Sequence, residues 1–202
     1  YKEIQVNLDS LIGNNFIINL VIFFLFSVLW ISLLGFGSPI VITSGILFGK
    51  WIGTLISVAA VSTGALLLYI IANFFFKDFI NLILAKKFSK YINLFEKNEF
   101  FYFFIFRATG GLGIPFPLQN TLPVIFNMKK MNYFAATFLG FFPGFFIWNS
   151  IGSGINKFIK DSDNFSFIKL LLSEEIYLPI IVFLIFILLS IIIKNKVFNV
   201  KD

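Results

Sequence analysis

Arg107 is the only arginine in this chain of 202 residues, and it stands just before a break. The surrounding stretch, residues 100–127, reads FFYFFIFRATGGLGIPFPLQNTLPVIFN. It has the apolar content of a membrane helix but is interrupted by Gly110, Gly111, Gly113, Pro115 and Pro117. Helix-breaking backbone at membrane depth survives only where protein or a wet cavity satisfies the freed polar groups. A charge at that depth is costly and marks a candidate site. The stretch therefore reads as two half-helices meeting at a polar point inside the bilayer. A guanidinium offers a planar fork suited to phosphate. Half-helices starting at Pro39 and Pro117 would add partial positive charge and unpaired N–H groups. Gln119, Asn120 and Thr121 could contribute hydrogen bonds from one side, and Ser38, Thr43 and Ser44 from the other. An anionic lipid headgroup meets these requirements while its tails stay in the bilayer. The plainer alternative is that Arg107 caps the last carbonyls of its own helix, with Gln119 and Asn120 satisfying the broken backbone.

Other chemistries are excluded by residue type. The chain has no His and no Cys, so the usual metal ligands, general base, thiolate and disulfides are missing. No Asp or Glu occurs between Ser10 and Lys77, or between Phe100 and Lys160. No metal, cofactor or catalytic residue is expected. A Ser–Lys pair would need a lysine at membrane depth, and the one candidate, Lys50, is placed at a surface turn. The net charge of +6 comes from lysines between apolar segments. This pattern fits positive-inside topology and anionic headgroups rather than nucleic acid.

The elements that must position Arg107 are membrane helices. Hydrophobic residues make up 58% and charged residues 13% of the chain, against roughly 25% charged in soluble domains. The mean hydropathy is +0.93. The expectation is an all-α integral membrane protein: two inverted re-entrant hairpins packed with about four transmembrane helices and an interfacial amphipathic helix. Residues 1–14 form a polar N-terminal segment without a signal-cleavage pattern, and the start at Tyr1 without Met suggests trimming. Residues 15–34 are long enough to span. Residues 36–50 read as a re-entrant segment, with Ser38 as N-cap and Pro39 at N1. Gly45 and Gly49, like Gly110, Gly111, Gly113 and Pro115, are assigned to hinge and structural roles. Residues 54–76 span, with small residues for close helix approach. Residues 77–99 form a basic amphipathic helix on the membrane surface. A span from about Asn132 to Ile151 should kink near Pro143. Residues 156–202 supply a polar connection and a last span, 177–193. Tyr69, Trp30, Trp51 and Trp148 read as packing or interface aromatics.

Two further patterns concern topology. Pro39-x5-Gly45-Ile-Leu-Phe-Gly49 matches Pro117-x5-Pro123-Val-Ile-Phe-Asn127 at a constant offset of 78. Interrupted segments at matching places in two halves point to a transporter-like site, and the count of crossings relates the copies by inversion. Segments 77–99, 129–130 and 194–201 hold ten lysines and would share the cytoplasmic side. Lys50, Lys157, Lys160 and Lys169 would lie opposite.

The run with Arg107, the Gly/Pro turn, Pro117, Asn120, Gly140 and Gly144 resembles the second half of a VTT domain. The string P-x5-G-x2-FG-x3-G at 39–53, followed by Gly64, resembles its first half. This domain defines the SNARE-associated Golgi protein family, to which bacterial DedA proteins are related. The resemblance covers about residues 15–155. It implies hairpins entering from opposite leaflets and a role in moving lipids, as phospholipid scramblases or as carriers of lipid phosphates. One departure is clear. DedA-type members resemble proton-coupled carriers with acidic residues at the first hairpin and two arginines at the second, whereas only Arg107 matches here. That argues against proton coupling through an intramembrane carboxylate. The resulting expectation is a lipid translocase or scramblase in a bacterial inner membrane, with anionic phospholipid or lipid phosphate as partner. Self-association into a homo-oligomer is compatible with it. The alternative is a non-transporting scaffold acting through helix 77–99.

Overall fold

The computed structural model describes residues 15–33, 35–86, 95 and 98–161, with scattered positions between 172 and 192. The regular elements among the described residues are all helical. In chain order they form α1 (Phe16–Ser32), α2 (Gly37–Phe75), α3 (Lys77–Ile80), α4 (Glu99–Ala108), α5 (Phe116–Thr121) and α6 (Lys130–Asp161). A π-helical turn, Asn81–Ala85, continues α3, and 3-10 turns occupy Gly110–Gly113 and Leu122–Val124. α2 and α6 lie along one another, α1 packs on α2, and α4 packs on α6. α2 and the Lys130–Ile155 part of α6 are long and apolar enough to cross a membrane, and α1 is a shorter apolar helix. Exposed side chains such as Ile17, Val21, Leu25, Leu55, Ile71 and Leu139 face outward as a lipid-compatible coat. This is the architecture of an integral membrane protein.

α2 is two arms. Gly49 has φ +74° and ψ 178°, a region essentially confined to glycine. Ser44 and Gly53, nine residues apart, would be separated by about 14 Å along a straight helix. Instead a methyl group added at Gly53 would lie 2.6 Å from the Ser44 carbonyl oxygen. The arm 37–48 therefore folds back on 50–75. There is open space around Gly49 apart from the Ser153 hydroxyl at 4.0 Å, so a substitution there is penalised by backbone geometry alone. Gly49→Ala is expected to lower stability by about 1–3 kcal/mol, read as a lower unfolding midpoint in detergent. Gly45 is no hinge. It lets the arm lie directly on the backbone of Asn149.

Several boundaries differ from expectation. α2 begins at Gly37 with Phe36 in the cap position, so Ser38 does not cap; Pro39 still falls in the first turn, where a missing N–H costs nothing. The expected span 132–151 starts at Lys130 and continues to Asp161, passing Pro143 as one helix. Of the amphipathic helix 77–99, the described part has Ile80 and Phe95 buried and Phe79 and Leu82 exposed; residues 87–94 lie outside the described residues. So do residues 1–14 and most of 162–202, including much of the expected last span. The Lys77 ammonium donates to Asn127 Oδ1 at 3.3 Å, which puts Lys77 and Lys129 at one end of the bundle. Lys50 begins the 50–75 arm and lies at the other end.

The internal repeat is visible as packing. Asn127 has φ +49°, so the position matching Gly49 also takes a left-handed backbone. A methyl group added at Gly64 would lie 2.7 Å from Ile31 Cβ and 2.8 Å from the Val28 carbonyl oxygen. One added at Gly140 would lie 2.6 Å from Arg107 Cβ and 3.0 Å from the Phe104 carbonyl oxygen. Positions 28, 31 and 64 thus map onto 104, 107 and 140 by one offset of 76. α1 on α2 and α4 on α6 are the same glycine-mediated contact, with Ile31 where the second half has Arg107.

Candidate functional site

Arg107 lies in the last turn of α4 and is 1% exposed. α4 ends because Thr109 and the left-handed residues Gly110, Gly111, Leu112 and Gly113 turn the chain back. Pro115 then caps α5, and Pro117 sits in its first turn, half-buried. This reversal brings the first turns of α5 beside the end of α4. The Arg107 Nη1 donates to Gln119 Oε1 at 3.2 Å. Nη2 donates to Asn120 Oδ1 at 2.7 Å and to the Tyr133 hydroxyl at 2.9 Å. The guanidinium carbon lies 4.8 Å from the ring centres of both Phe103 and Phe141. Neutral oxygens and aromatic faces stabilise the charge without neutralising it. Nε has no partner.

Each supporting side chain is itself anchored. Gln119 Nε2 donates to the Ile114 carbonyl at 2.7 Å and approaches that of Gly110 at 3.4 Å, so this amide holds the turn and the cation together. It can do so because Gly111 has no side chain: a Cβ there would fall on the Gln119 amide. The Tyr133 hydroxyl lies 3.1 Å from the Ala65 carbonyl, tying the site to α2. Its ring stacks on Tyr69 at 4.8 Å, and Tyr69 donates to the Met128 carbonyl. Asn120 is fully buried, and its Nδ2 has no partner among the described residues.

A cavity of about 290 Å³ reaches this group. Arg107 and Gln119 line it from the second hairpin, Gly37 and Ser38 from the start of α2, and Phe141 and Gly144 from α6. Of the residues expected to form the site, the structure thus brings Arg107, Gln119 and Ser38 to one cavity, with Asn120 supporting Arg107 from behind. Pro39 and Thr43 are exposed and do not line it. The buried hydroxyl of that arm is that of Ser44, which donates to Asn149 Oδ1 at 2.7 Å in a separate polar contact between α2 and α6. The expected helix-dipole contribution is also halved. The 37–48 arm presents its N-terminus at the cavity, but α5 has only six residues before it tightens into a 3-10 turn.

Arg107 does not cap the carbonyls of α4 among the described residues. Thr109 does, its hydroxyl lying 2.8 Å from the Ile105 carbonyl oxygen and 3.1 Å from that of Phe106. Tyr133 is the partner of Arg107 that pattern reading misses. Its signal was weak: a tyrosine one turn into an apolar helix, able to bury its ring while its hydroxyl needs a partner. Among the described residues, no group of three acidic, His or Cys side chains could hold a metal.

The site is thus a cation buried at a chain reversal of a helical membrane protein, bonded to neutral oxygens among the described residues and open to an aromatic-walled cavity. Residues 30–154 match the family model of the VTT domain, which covers more than half of the chain, and the chain belongs to that family. Membership carries a general membrane-transport role. No solved structure matches the chain.

Proposed function

We propose that the protein translocates lipids with anionic headgroups, as a scramblase or translocase of a bacterial plasma membrane. In this reading the hairpins formed by 37–75 and 99–124 enter from opposite leaflets, and Arg107 receives the headgroup phosphate. The observation that carries the reading is a guanidinium, 1% exposed, reached by a cavity and bonded only to neutral side-chain oxygens among the described residues. A buried charge without a counter-ion is costly, and an arriving anion offsets that cost. Depth supports the same reading. Gly140, which meets Arg107, is ten residues along α6 from Lys130, about 15 Å at 1.5 Å per residue, or half a hydrocarbon core.

The test uses the cavity. Gly144 lines it, and a Cβ added there meets nothing within 4 Å. Gly144→Leu is therefore expected to fill the cavity without disturbing the fold. In liposomes, dithionite quenching of a fluorescent phospholipid should report rapid flip with the wild-type protein. Flip should be roughly tenfold or more slower with Gly144→Leu, at an unchanged unfolding midpoint. Flip by the filled variant at the wild-type rate would remove this cavity from the transport path.

A further inference from the structure

The charge count of the cavity selects among phosphate headgroups. A guanidinium has five N–H donors. Three are committed to Gln119, Asn120 and Tyr133, leaving Nε–H and one proton on Nη1. Arg107 is the only titratable side chain among the described residues lining the cavity. Tyr133 meets it from α6, with Tyr69 stacked behind, and neither brings positive charge. The other walls include Phe116, Phe141, Phe145 and Trp148. Aromatic faces carry partial negative charge, so they favour the cation and disfavour any excess anion beside it.

We infer that this site accepts a lipid phosphodiester, which carries one negative charge, and rejects a phosphate monoester while that group is doubly ionised. The inference rests on the lipid-translocation reading above. A phosphodiester paired with Arg107 gives a neutral site. A doubly charged monoester leaves an excess of negative charge against aromatic walls, which the partial positive charge at the start of the 37–48 arm offsets only in part. Protonating the monoester once removes the difference. Arg107 stays charged throughout the accessible pH range, so the pH dependence belongs to the lipid. Monoester transport should be present below the second phosphate ionisation and lost above it, while diester transport stays flat.

The experiment compares phosphatidylglycerol with phosphatidic acid of the same acyl chains. The full chain is reconstituted in liposomes, and protein-free rates are subtracted. The second ionisation of a phosphate monoester falls at about pH 6, so measurements at about pH 8 and about pH 5 bracket it. At the higher pH, phosphatidic acid should flip roughly tenfold or more slowly than phosphatidylglycerol, and at the lower pH the two should converge. Equal rates at the higher pH would overturn the inference while leaving lipid translocation intact. Failure of both lipids at both pH values would instead overturn the translocation reading. A second cation checks the charge count directly. Ser38 is exposed at the cavity rim, so Ser38→Arg should raise phosphatidic acid flip at the higher pH relative to phosphatidylglycerol. No change in that ratio would count against the charge explanation.

Discussion

Arg107→Ala is expected to abolish protein-dependent lipid flip while the protein still inserts into membranes. Insertion depends on the apolar lengths of α1, α2 and α6, which the substitution leaves unchanged. The site itself loses its organiser. Removing the guanidinium strands Gln119 Oε1 and Asn120 Oδ1 inside the protein and takes a donor from the Tyr133 hydroxyl. Each stranded buried polar group costs about 1–3 kcal/mol. That loss is partly offset because an uncompensated buried cation is also removed. The net effect on stability should therefore be smaller than the effect on transport. Arg107→Lys provides the control. An ammonium restores charge but cannot reproduce the planar fork that reaches Gln119, Asn120 and Tyr133 at once. Flip should remain roughly tenfold or more below wild type with lysine. Wild-type flip in the alanine variant would reduce Arg107 to a structural fastener.

Gly111→Ala should have the largest effect of any single methyl group added to the second hairpin. Gly111 has φ +72°, where an L side chain is strained by about 1–2 kcal/mol. Its Cβ would also fall on the Gln119 amide. Gln119 would have to leave both the Ile114 carbonyl and Arg107, opening a turn that it alone braces from within α5. A stability loss of about 2–4 kcal/mol is expected from strain plus lost hydrogen bonds, together with loss of flip. Gly110→Ala offers a comparison, since Gly110 has a similar φ of +71° but open space around it. Its stability loss should stop at the backbone strain. If the two variants behave alike in both stability and transport, Gln119 is not the brace.

Much of this fold is legible in the chain because its signals are local. Apolar length gives α1, α2 and α6, and Gly49 and the run from Gly110 to Pro117 give the reversals, since glycine and proline act on the backbone where they stand. The partners of Arg107 were only half legible. Gln119 and Asn120 lie within thirteen positions of it, across a turn that the glycines announce. Tyr133 comes from another helix and reaches the site through packing, which residue spacing does not encode. Thr43 was chosen for its hydroxyl, but helical phase decides burial, and that phase places Ser44 inside and Thr43 outside. The continuation of α6 past Pro143 has the same origin. Neighbouring helices can sustain a proline that local rules would treat as a break.

The shared offset of positions 28, 31 and 64 with 104, 107 and 140 means that one packing unit occurs twice and that only one copy holds a charge. The two copies thus divide the labour. The first copy owes the protein its shape, and any apolar side chain of the right size at Ile31 can meet that debt. The second copy owes it shape and, under the proposed function, an anion receptor as well, so Arg107 would be held by two constraints at once. Mutational tolerance should be lopsided as a result, broad across the first half wherever a glycine contact is spared and narrow around the reversal in the second.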